Sequence, residues 1–265
     1  MTSPGQFSLW TAAGWQGNVK NMSVIGLIPS RYGSTRLPAK ALLEIDGLPL
    51  IVHTYKRAKL AKSLDDVIVC ADDEKIVQAV EKHGGKAVLT ASHHLTGTDR
   101  IAEVAASLNA TFYIDIQGDE PLISPYNIDK VVEFHKERSE FDIILPTLAI
   151  DLPHSPHIVK VVHDNKSRVM YLSRAAIPFS FSSNNQKFLK HLSIISFTPE
   201  SLQNFARLPQ GEIESIEGVE LLRALENGMS IGTLSLEGDS FSVDVPDDYE
   251  RAKEKILYDQ FRQQY

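Results

Sequence analysis

Three cations fall within ten residues of the segment Pro29-Ser30-Arg31-Tyr32-Gly33-Ser34-Thr35-Arg36-Leu37-Pro38-Ala39-Lys40. Arg31, Arg36 and Lys40 could meet on one polyanion. Gly33 and Ser34 allow the backbone to approach a ligand closely. A triphosphate needs this combination, because cations and backbone donors must neutralise the charge that grows on a departing phosphate group. A solvated surface loop is the other reading of the same residues. No Gly-x-x-x-x-Gly-Lys-Ser/Thr and no Gly-x-Gly-x-x-Gly after a strand is present, so the usual P-loop and dinucleotide sites are not expected.

Two carboxylates complement these cations. In Gln117-Gly118-Asp119-Glu120-Pro121, a strand runs out into a turn that Pro121 ends, leaving Asp119 at the carboxyl edge of a sheet. In Val243-Asp244-Val245-Pro246-Asp247-Asp248, Asp244 precedes the last helix. A pair of such carboxylates suits Mg²⁺, which takes one or two of them together with substrate phosphates and water. The competing readings are a turn aspartate at 119 and a helix-capping aspartate at 244.

These residues need a scaffold that collects strand ends. The run Val24 to Ile28, the run Val67 to Ala71 and the run Phe112 to Ile116 predict strands buried on both faces. Lys86 to Leu89 predicts a shorter strand. Helices are expected over 48–61, 73–83 (ended by Gly84-Gly85) and 98–108. Ala41 to Ile45 reads as extended, with a turn at Asp46-Gly47. Such alternation implies a parallel sheet covered on both faces, and open sheets of this kind bind ligands at the carboxyl ends of their strands.

The second half differs. Ile143 to Ile150, Ile158 to His163, Val169 to Leu172 and His191 to Phe197 read as strands with no long helix between them. Some of this sheet is expected to be antiparallel or mixed. A polar loop is expected at Asn184-Asn185-Gln186. Ile213 to Glu226 predicts one helix, Ile231 to Leu236 a strand, and Pro246 onward a long final helix. One domain with an insertion over about 150–200 accounts for this pattern. Residues 1–21 are rich in Gly, Ser, Thr and Gln and read as a flexible extension, an expression remnant or an upstream start.

Composition sets the outer bounds. The chain has 265 residues, 43% of them hydrophobic and 23% charged, which excludes disorder throughout. No apolar run is long enough to span a bilayer. A single cysteine, Cys70, cannot form an internal disulfide, which fits a reducing compartment, and the cytoplasm is expected. Its place in a buried strand makes Cys70 inert packing. Lys and Arg total 27 and Asp and Glu 34, a net charge of −7, which argues against non-specific nucleic-acid binding. His93-His94 has no companions at zinc spacing.

Taken together, the motifs resemble a family. Ile28 to Lys40 is similar to the signature I-P-A-R-x-x-S-x-R-[LF]-P-G-K. Thr96-Gly97-Thr98-Asp99-Arg100 is similar to S-G-T-[ED]-R, and Gln117 to Pro121 matches Q-G-D-E-P. Tyr171-Leu172-Ser173-Arg174-Ala175-Ala176-Ile177-Pro178 resembles Y-F-S-R-A-x-I-P, and Val243 to Asp248 resembles V-D-T-P-E-D. The chain from residue 22 on resembles, as a single domain, the 3-deoxy-manno-octulosonate cytidylyltransferases, or CMP-Kdo synthetases.

The resemblance implies an α/β nucleotide-diphospho-sugar transferase-like (Rossmann-like) mixed sheet, with an inserted antiparallel sheet used in a homodimer. It implies that the anomeric hydroxyl of an acid sugar attacks the α-phosphorus of CTP, with Mg²⁺ as cofactor. The product would be a CMP-sugar for lipopolysaccharide or capsule assembly. By position, Arg31, Arg36 and Lys40 would be catalytic on the triphosphate, and Asp119 and Asp244 would hold the metal. Ser30, Gly33, Ser34, Ala71, Asp72, Gly97, Thr98, Arg100 and Gln117 would bind the nucleotide. Arg174, His191, Glu217 and Glu220 would bind the sugar.

Two positions depart from the family pattern. Where R-H-L-G-I-Y-G-Y is usual, the chain reads Lys190-His191-Leu192-Ser193-Ile194-Ile195-Ser196-Phe197, so Ile195 replaces a sugar-facing Tyr. Where L-E-Q-L-R is usual, it reads Val219-Glu220-Leu221-Leu222-Arg223, so Leu221 replaces Gln. Loss of two hydrogen-bonding groups predicts an altered acceptor: a modified ulosonate, an amino-ulosonate or a phosphonate. A weakly catalytic CTP-binding protein is the reading from another class.

Overall fold

Val24–Ser30 is buried along its whole length and forms β1, an interior strand of the main sheet. The computed structural model describes residues 23–265 except 35, 152–154, 182–186 and 239–240. The stretch 1–21 and the loop at Asn184-Asn185-Gln186 lie outside the described residues.

After β1 come β2 (Glu44–Ile45), β3 (Leu48–Pro49), α1 (Leu50–Ala58), β4 (Asp66–Ala71), α2 (Glu74–Lys82), β5 (Ala87–Leu89), α3 (Gly97–Ala105) and β6 (Phe112–Ile116). The middle of the chain forms α4 (Pro125–Glu137), β7 (Ile143–Ile144), β8 (Thr147–Ile150), β9 (Lys160–His163), β10 (Val169–Ser173), β11 (Phe188–His191) and β12 (Ile194–Phe197). Last are α5 (Pro199–Arg207), α6 (Glu212–Glu217), α7 (Leu222–Glu226), β13 (Ile231–Gly232), β14 (Ser235–Leu236) and α8 (Pro246–Leu257).

The main sheet has seven strands in the order β13-β7-β12-β6-β1-β4-β5. β1 pairs in parallel with β4 and β6, and β4 with β5. β12 alone runs antiparallel, between β6 and β7. Helices cover both faces, and an apolar cluster fills each side. The parallel strands expected from the alternation are present in β1, β4, β5 and β6, and the antiparallel pairing expected for the second half enters the same sheet through β12. A second sheet, in the order β10-β9-β11-β8-β14, is antiparallel except for its β14–β8 edge, which is parallel.

The two sheets correct three expected strands. Ile143 to Ile150, His191 to Phe197 and Ile231 to Leu236 each read as one run. Each divides into two strands that belong to different sheets. Pro146 interrupts the first, because proline cannot donate to a ladder. The crossings stay hydrogen bonded to one another: Leu192 N donates to Pro146 O at 2.9 Å and Thr147 N to Leu234 O at 2.8 Å. The second sheet thus uses residues 147–191 with 235–236, while 194–197 lies in the main sheet.

Local signals explain the remaining differences. The 48–61 helix begins at Leu50, because Asp46 and Gly47 both take positive φ (45° and 77°) and close a two-residue hairpin between β2 and β3. Part of 41–45 is a 3₁₀ turn, Lys40–Leu42. The expected helix over 213–226 breaks into α6 and α7 at Gly218, with φ +60°. α4 and α5 were not anticipated. Each starts with a hydroxyl cap and a first-turn proline: Ser124 with Pro125, and Thr198 with Pro199.

A small third cluster ties the chain's end to the hairpin. Ile45 and Leu50 pack against Val243, Ala252 and Ile256 of the α8 region. His53 supports the same junction from a fully buried position, where Nε2–H donates to Ile45 O at 2.7 Å and Nδ1 accepts from the Tyr265 hydroxyl at 3.0 Å. Burial lowers the His53 pKa from 6.5 to about 4. Between those values the unfolded chain binds a proton that the folded protein refuses. His53 therefore removes stability as pH falls from about 6.5 to about 4, by about 3 kcal/mol over the window. Urea unfolding at pH 7 and pH 4.5 should reveal that loss, and a smaller one in His53→Gln. Equal pH dependence in both proteins would reject it.

Candidate active site

The carboxyl ends of β1 and β6, the start of α3 and the chain entering α8 enclose a cleft of about 280 Å³. The basic loop after β1 forms one wall. Lys40 Nζ lies 2.7 Å from Asp119 Oδ2 and 3.2 Å from Asp244 Oδ1. Arg36 Nη2 lies 3.1 Å from the same Asp244 oxygen. The Lys40 side chain is 16% exposed and that of Arg36 58%. Lys40 is thus the shielded centre of the network, and Arg36 its open edge. Arg31 also lines the cleft, is exposed, and has no charged partner among the described residues.

Asp244 does not cap the last helix. The backbone N–H groups of Asp244 and Val245 donate to Asp248 Oδ2 at 3.1 and 3.3 Å, so Asp248 serves the start of α8. The Asp244 carboxylate turns to the basic loop instead. Asp119 leaves the turn through Gly118, where an added Cβ would come within 2.6 Å of Pro29 O. That close approach sets Asp119 beside the end of β1.

The residues expected to bind a nucleotide gather around the same cleft. Ser30 and Ala71 are paired at the ends of β1 and β4. Asp72 Oδ1 accepts from Tyr32 N at 2.8 Å and pins the start of the basic loop. Arg100 is buried, donating from Nη1 to Thr90 Oγ1 at 2.6 Å and to Ala91 O at 3.1 Å. Its Nη2 stands 3.5 Å from Asp72 Oδ2. Ser34, Gly97, Arg100 and Gln117 line the cleft. Gly33 is exposed in the loop, and Thr98 is buried in the first turn of α3.

The residues expected to bind the sugar divide. Glu220 lines the cleft. It stands there because Gly218 ends α6 and redirects the chain before α7. Arg174, Glu217 and His191 lie outside that lining. Arg174 donates to Glu217 O at 2.8 Å, Gly218 O at 2.9 Å and Pro156 O at 2.8 Å. The Glu217 carboxylate accepts from Ser173 Oγ at 2.6 Å and Arg174 N at 2.9 Å. Together they fasten α6 to β10. His191 Nδ1 lies 3.1 Å from Leu192 O, and burial lowers its pKa.

One buried carboxylate, behind the cleft residue Gln117, went unremarked in the sequence. Asp115 of β6 is 1% exposed, between Leu27 of β1 and Ile195 of β12 in the sheet register. Gln117 Nε2 lies 3.2 Å from each of its oxygens. Burial, and then the Glu220 charge, push the Asp115 pKa well above the usual carboxylate range. Glu220 is raised as well, by burial first. The available signal was an acid at a position buried on both faces, which is rare without a partner. Of the two departures, Ile195 sits beside Asp115, while Leu221 is 4% exposed and packs into the core. Cys70 is fully buried, and burial raises its thiol pKa.

Comparison with known proteins adds independent findings. The family model described as "Cytidylyltransferase" matches residues 25–231. An 8-amino-3,8-dideoxy-manno-octulosonate cytidylyltransferase of Shewanella halifaxensis is 41% identical over 247 residues, covering 90% of this chain and all of the relative. A 3-deoxy-manno-octulosonate cytidylyltransferase of Thermodesulfovibrio yellowstonii is 42% identical over 256 residues, covering 89% of this chain and 98% of the relative. A solved CMP:2-keto-3-deoxy-manno-octonic acid synthetase complexed with CTP superposes with a TM-score of 0.86 at 34% identity, covering 89% of this chain and 99% of that one.

Proposed function

Because this chain belongs to the cytidylyltransferase family, we propose that it transfers CMP from CTP to the anomeric hydroxyl of Kdo or a closely related ulosonic acid and releases pyrophosphate. The convergence of Arg36 and Lys40 on Asp119 and Asp244 at the strand ends carries this reading. In the reaction the acceptor oxygen bonds to the α-phosphorus. The bond from that phosphorus to the bridging oxygen breaks, pyrophosphate keeps the electron pair, and the hydroxyl proton passes to solvent. No covalent enzyme adduct is required. Catalysis rests on positioning and charge.

The chain's own residues divide the work. Arg31, Arg36 and Lys40 hold the triphosphate and neutralise the charge growing on the leaving pyrophosphate. The backbone of Gly33 and Ser34 lets the phosphates come close. Asp72 and Arg100 keep the loop and the start of α3 in register for the nucleoside. Asp119 and Asp244 suit Mg²⁺: both offer hard carboxylate oxygens, both point at one cation already, and substrate oxygens and water would complete the shell. When bound, Mg²⁺ would polarise the α-phosphate and make the attacking hydroxyl more acidic.

Assembly and location follow the same reading. Met170, Phe179 and Phe181 are exposed on the second sheet and the loop beyond it, and support a homodimer formed through that face. No helix among the described residues is long and apolar enough to cross a membrane. The proposed setting is the cytoplasm, where the product would feed lipopolysaccharide or capsule assembly.

Pyrophosphate release should be measured with CTP and Mg²⁺ across a panel of ulosonic acids. Turnover with Kdo or a close relative is expected. Turnover with no acid sugar would overturn the proposal.

A further inference from the structure

The two aspartates that face Lys40 come from distant segments. Asp119 belongs to the turn after β6, and Asp244 to the chain entering α8. Mg²⁺ takes near-octahedral geometry at short distance, so carboxylates that share it must be set closely against one another. At the cleft a backbone bond joins the two segments, with Val243 N donating to Asp119 O at 2.9 Å. One such bond leaves rotation about it free. A second tie is needed to fix the pair.

That tie lies behind the cleft, on α1. Arg57 is 2% exposed and does not line the cleft. Each of its three side-chain nitrogens takes a different partner. Nε donates to Ile123 O at 2.7 Å and Nη2 to Leu122 O at 3.0 Å. Nη1 pairs with the Asp259 carboxylate. The guanidinium also lies over the Phe261 ring, 4.8 Å from its centre.

These partners belong to the two aspartate segments. Glu120 N donates to Gln117 O and Ile123 N to Glu120 O, each at 3.2 Å, so 117–123 is a run of linked turns carrying Asp119. Leu122 and Ile123 precede Ser124, the cap of α4, and the helix ladder does not reach their carbonyls. Asp259 and Phe261 follow α8, whose other end follows Asp244. The rest of α1 serves the same two segments. Thr54, three residues before Arg57, donates to Gly118 O at 3.1 Å, and Leu50 packs with Val243 in the cluster that seats α8. Burying a charge is costly unless it is paired and its donors are met. A hydrocarbon side chain fills space equally well. The planar fork adds fixed directions toward two loops at once.

We propose that Arg57 is a positioning residue for the metal pair, setting Asp119 against Asp244 from behind the cleft. The proposal rests on the Mg²⁺ site put forward above. Arg57 touches neither substrate nor cation and acts through the two segments it joins. Groups that orient metal ligands in this way contribute about 10- to 100-fold in metal affinity or activity.

The test compares Arg57→Lys with the native chain. Lysine keeps the charge but has no planar fork to span two carbonyls and a carboxylate. CTP binding is measured by calorimetry in Mg²⁺ and again in EDTA. Mg²⁺ should tighten CTP binding to the native chain. In Arg57→Lys most of that gain should be lost, with binding in EDTA unchanged. The Mg²⁺ concentration for half-maximal pyrophosphate release should rise about tenfold. Asp259→Asn frees only the α8 side and should lose part of the gain. Ser201→Ala controls for stability: it removes bonds to Asp142 O and Thr198 O at α5, and should melt earlier with a native Mg²⁺ gain. A native gain in Arg57→Lys, or in Asp259→Asn where only that variant folds, overturns this inference and leaves cytidylyl transfer standing. Equal losses in Mg²⁺ and in EDTA, or a loss of the gain in Ser201→Ala, also overturn it, because Arg57 would then only hold the fold. If the native chain binds CTP with Mg²⁺ but turns over no acid, cytidylyl transfer falls and the binding measurements still decide the role of Arg57. A native chain whose CTP binding ignores Mg²⁺ overturns the metal site and this inference together.

Discussion

Asp119→Asn is expected to lower kcat for pyrophosphate release about 10²- to 10³-fold, the scale of losing one preorganised electrostatic contact in a phosphoryl or acyl transition state. The carboxylate does two things that an amide cannot. It offers a full negative charge to a divalent cation, and it holds Lys40 Nζ at 2.7 Å. The substitution keeps the side-chain shape, so the turn after β6 should persist. The ion pair is partly exposed, with Asp119 at 27%, so its loss should shift the melting temperature by only a few degrees. Raising Mg²⁺ should recover part of the rate. Steady-state rates across a Mg²⁺ series, with melting curves beside them, check this. Near-native Mg²⁺-dependent rates in the variant would remove Asp119 from the site.

Gly118→Ala is expected to damage stability and activity together. A Cβ at this position would stand 2.6 Å from Pro29 O and 3.0 Å from Ile51 Cδ1. The first contact is backbone of β1, which cannot swing aside like a side chain. The Gly118 carbonyl is also held from the other side, accepting from Thr54 Oγ1 at 3.1 Å. Overpacking of this kind costs roughly 1–3 kcal/mol, or about 2–5 °C in a chain of this size. The strain is relieved by pushing the 117–119 turn away from β1, and that movement carries Asp119 with it. A displacement near 1 Å in a positioned group costs on the order of 10²-fold in rate. Thermal melts and kcat/KM measured on the same preparation should fall together. A native melting temperature with native rates would show that the close approach is not needed.

The parts of this molecule legible in its sequence are those written in neighbouring residues. Val24 to Ile28, Val67 to Ala71 and Phe112 to Ile116 are continuous apolar runs, and burial on both faces is what such runs are for. The basic loop and the Gln117 to Pro121 turn announce a phosphate site in the same local way. Other features depend on geometry that no short window contains. Arg36 and Asp244 meet across 208 positions of sequence, through the packing of α8 on the β2–β3 hairpin. Three apolar runs each feed two sheets, because the period of a strand says nothing about which neighbours it pairs with. Gly218 breaks what reads as one helix, and that break is what puts Glu220 at the cleft. Asp115 was hidden by its own strand, where one acid among apolar residues looks like an interruption of the pattern.

The negative net charge of the chain also takes on a different meaning in the folded protein. Acidic groups outnumber basic ones by seven, yet Arg31, Arg36 and Lys40 line one cleft at the strand ends. Charge is sorted by place. Those cations suit an anionic nucleotide.

In the proposed reaction an acceptor hydroxyl takes CMP directly from CTP. Its most direct test is to identify the products made by the full chain with CTP, Mg²⁺ and an ulosonic acid, using ³¹P magnetic resonance and mass spectrometry. One CMP-sugar joined through a phosphodiester at the anomeric oxygen is expected for each pyrophosphate released, with no CMP attached to the protein. Free CMP in place of the sugar conjugate, a stable CMP–protein adduct, or untouched CTP would contradict it.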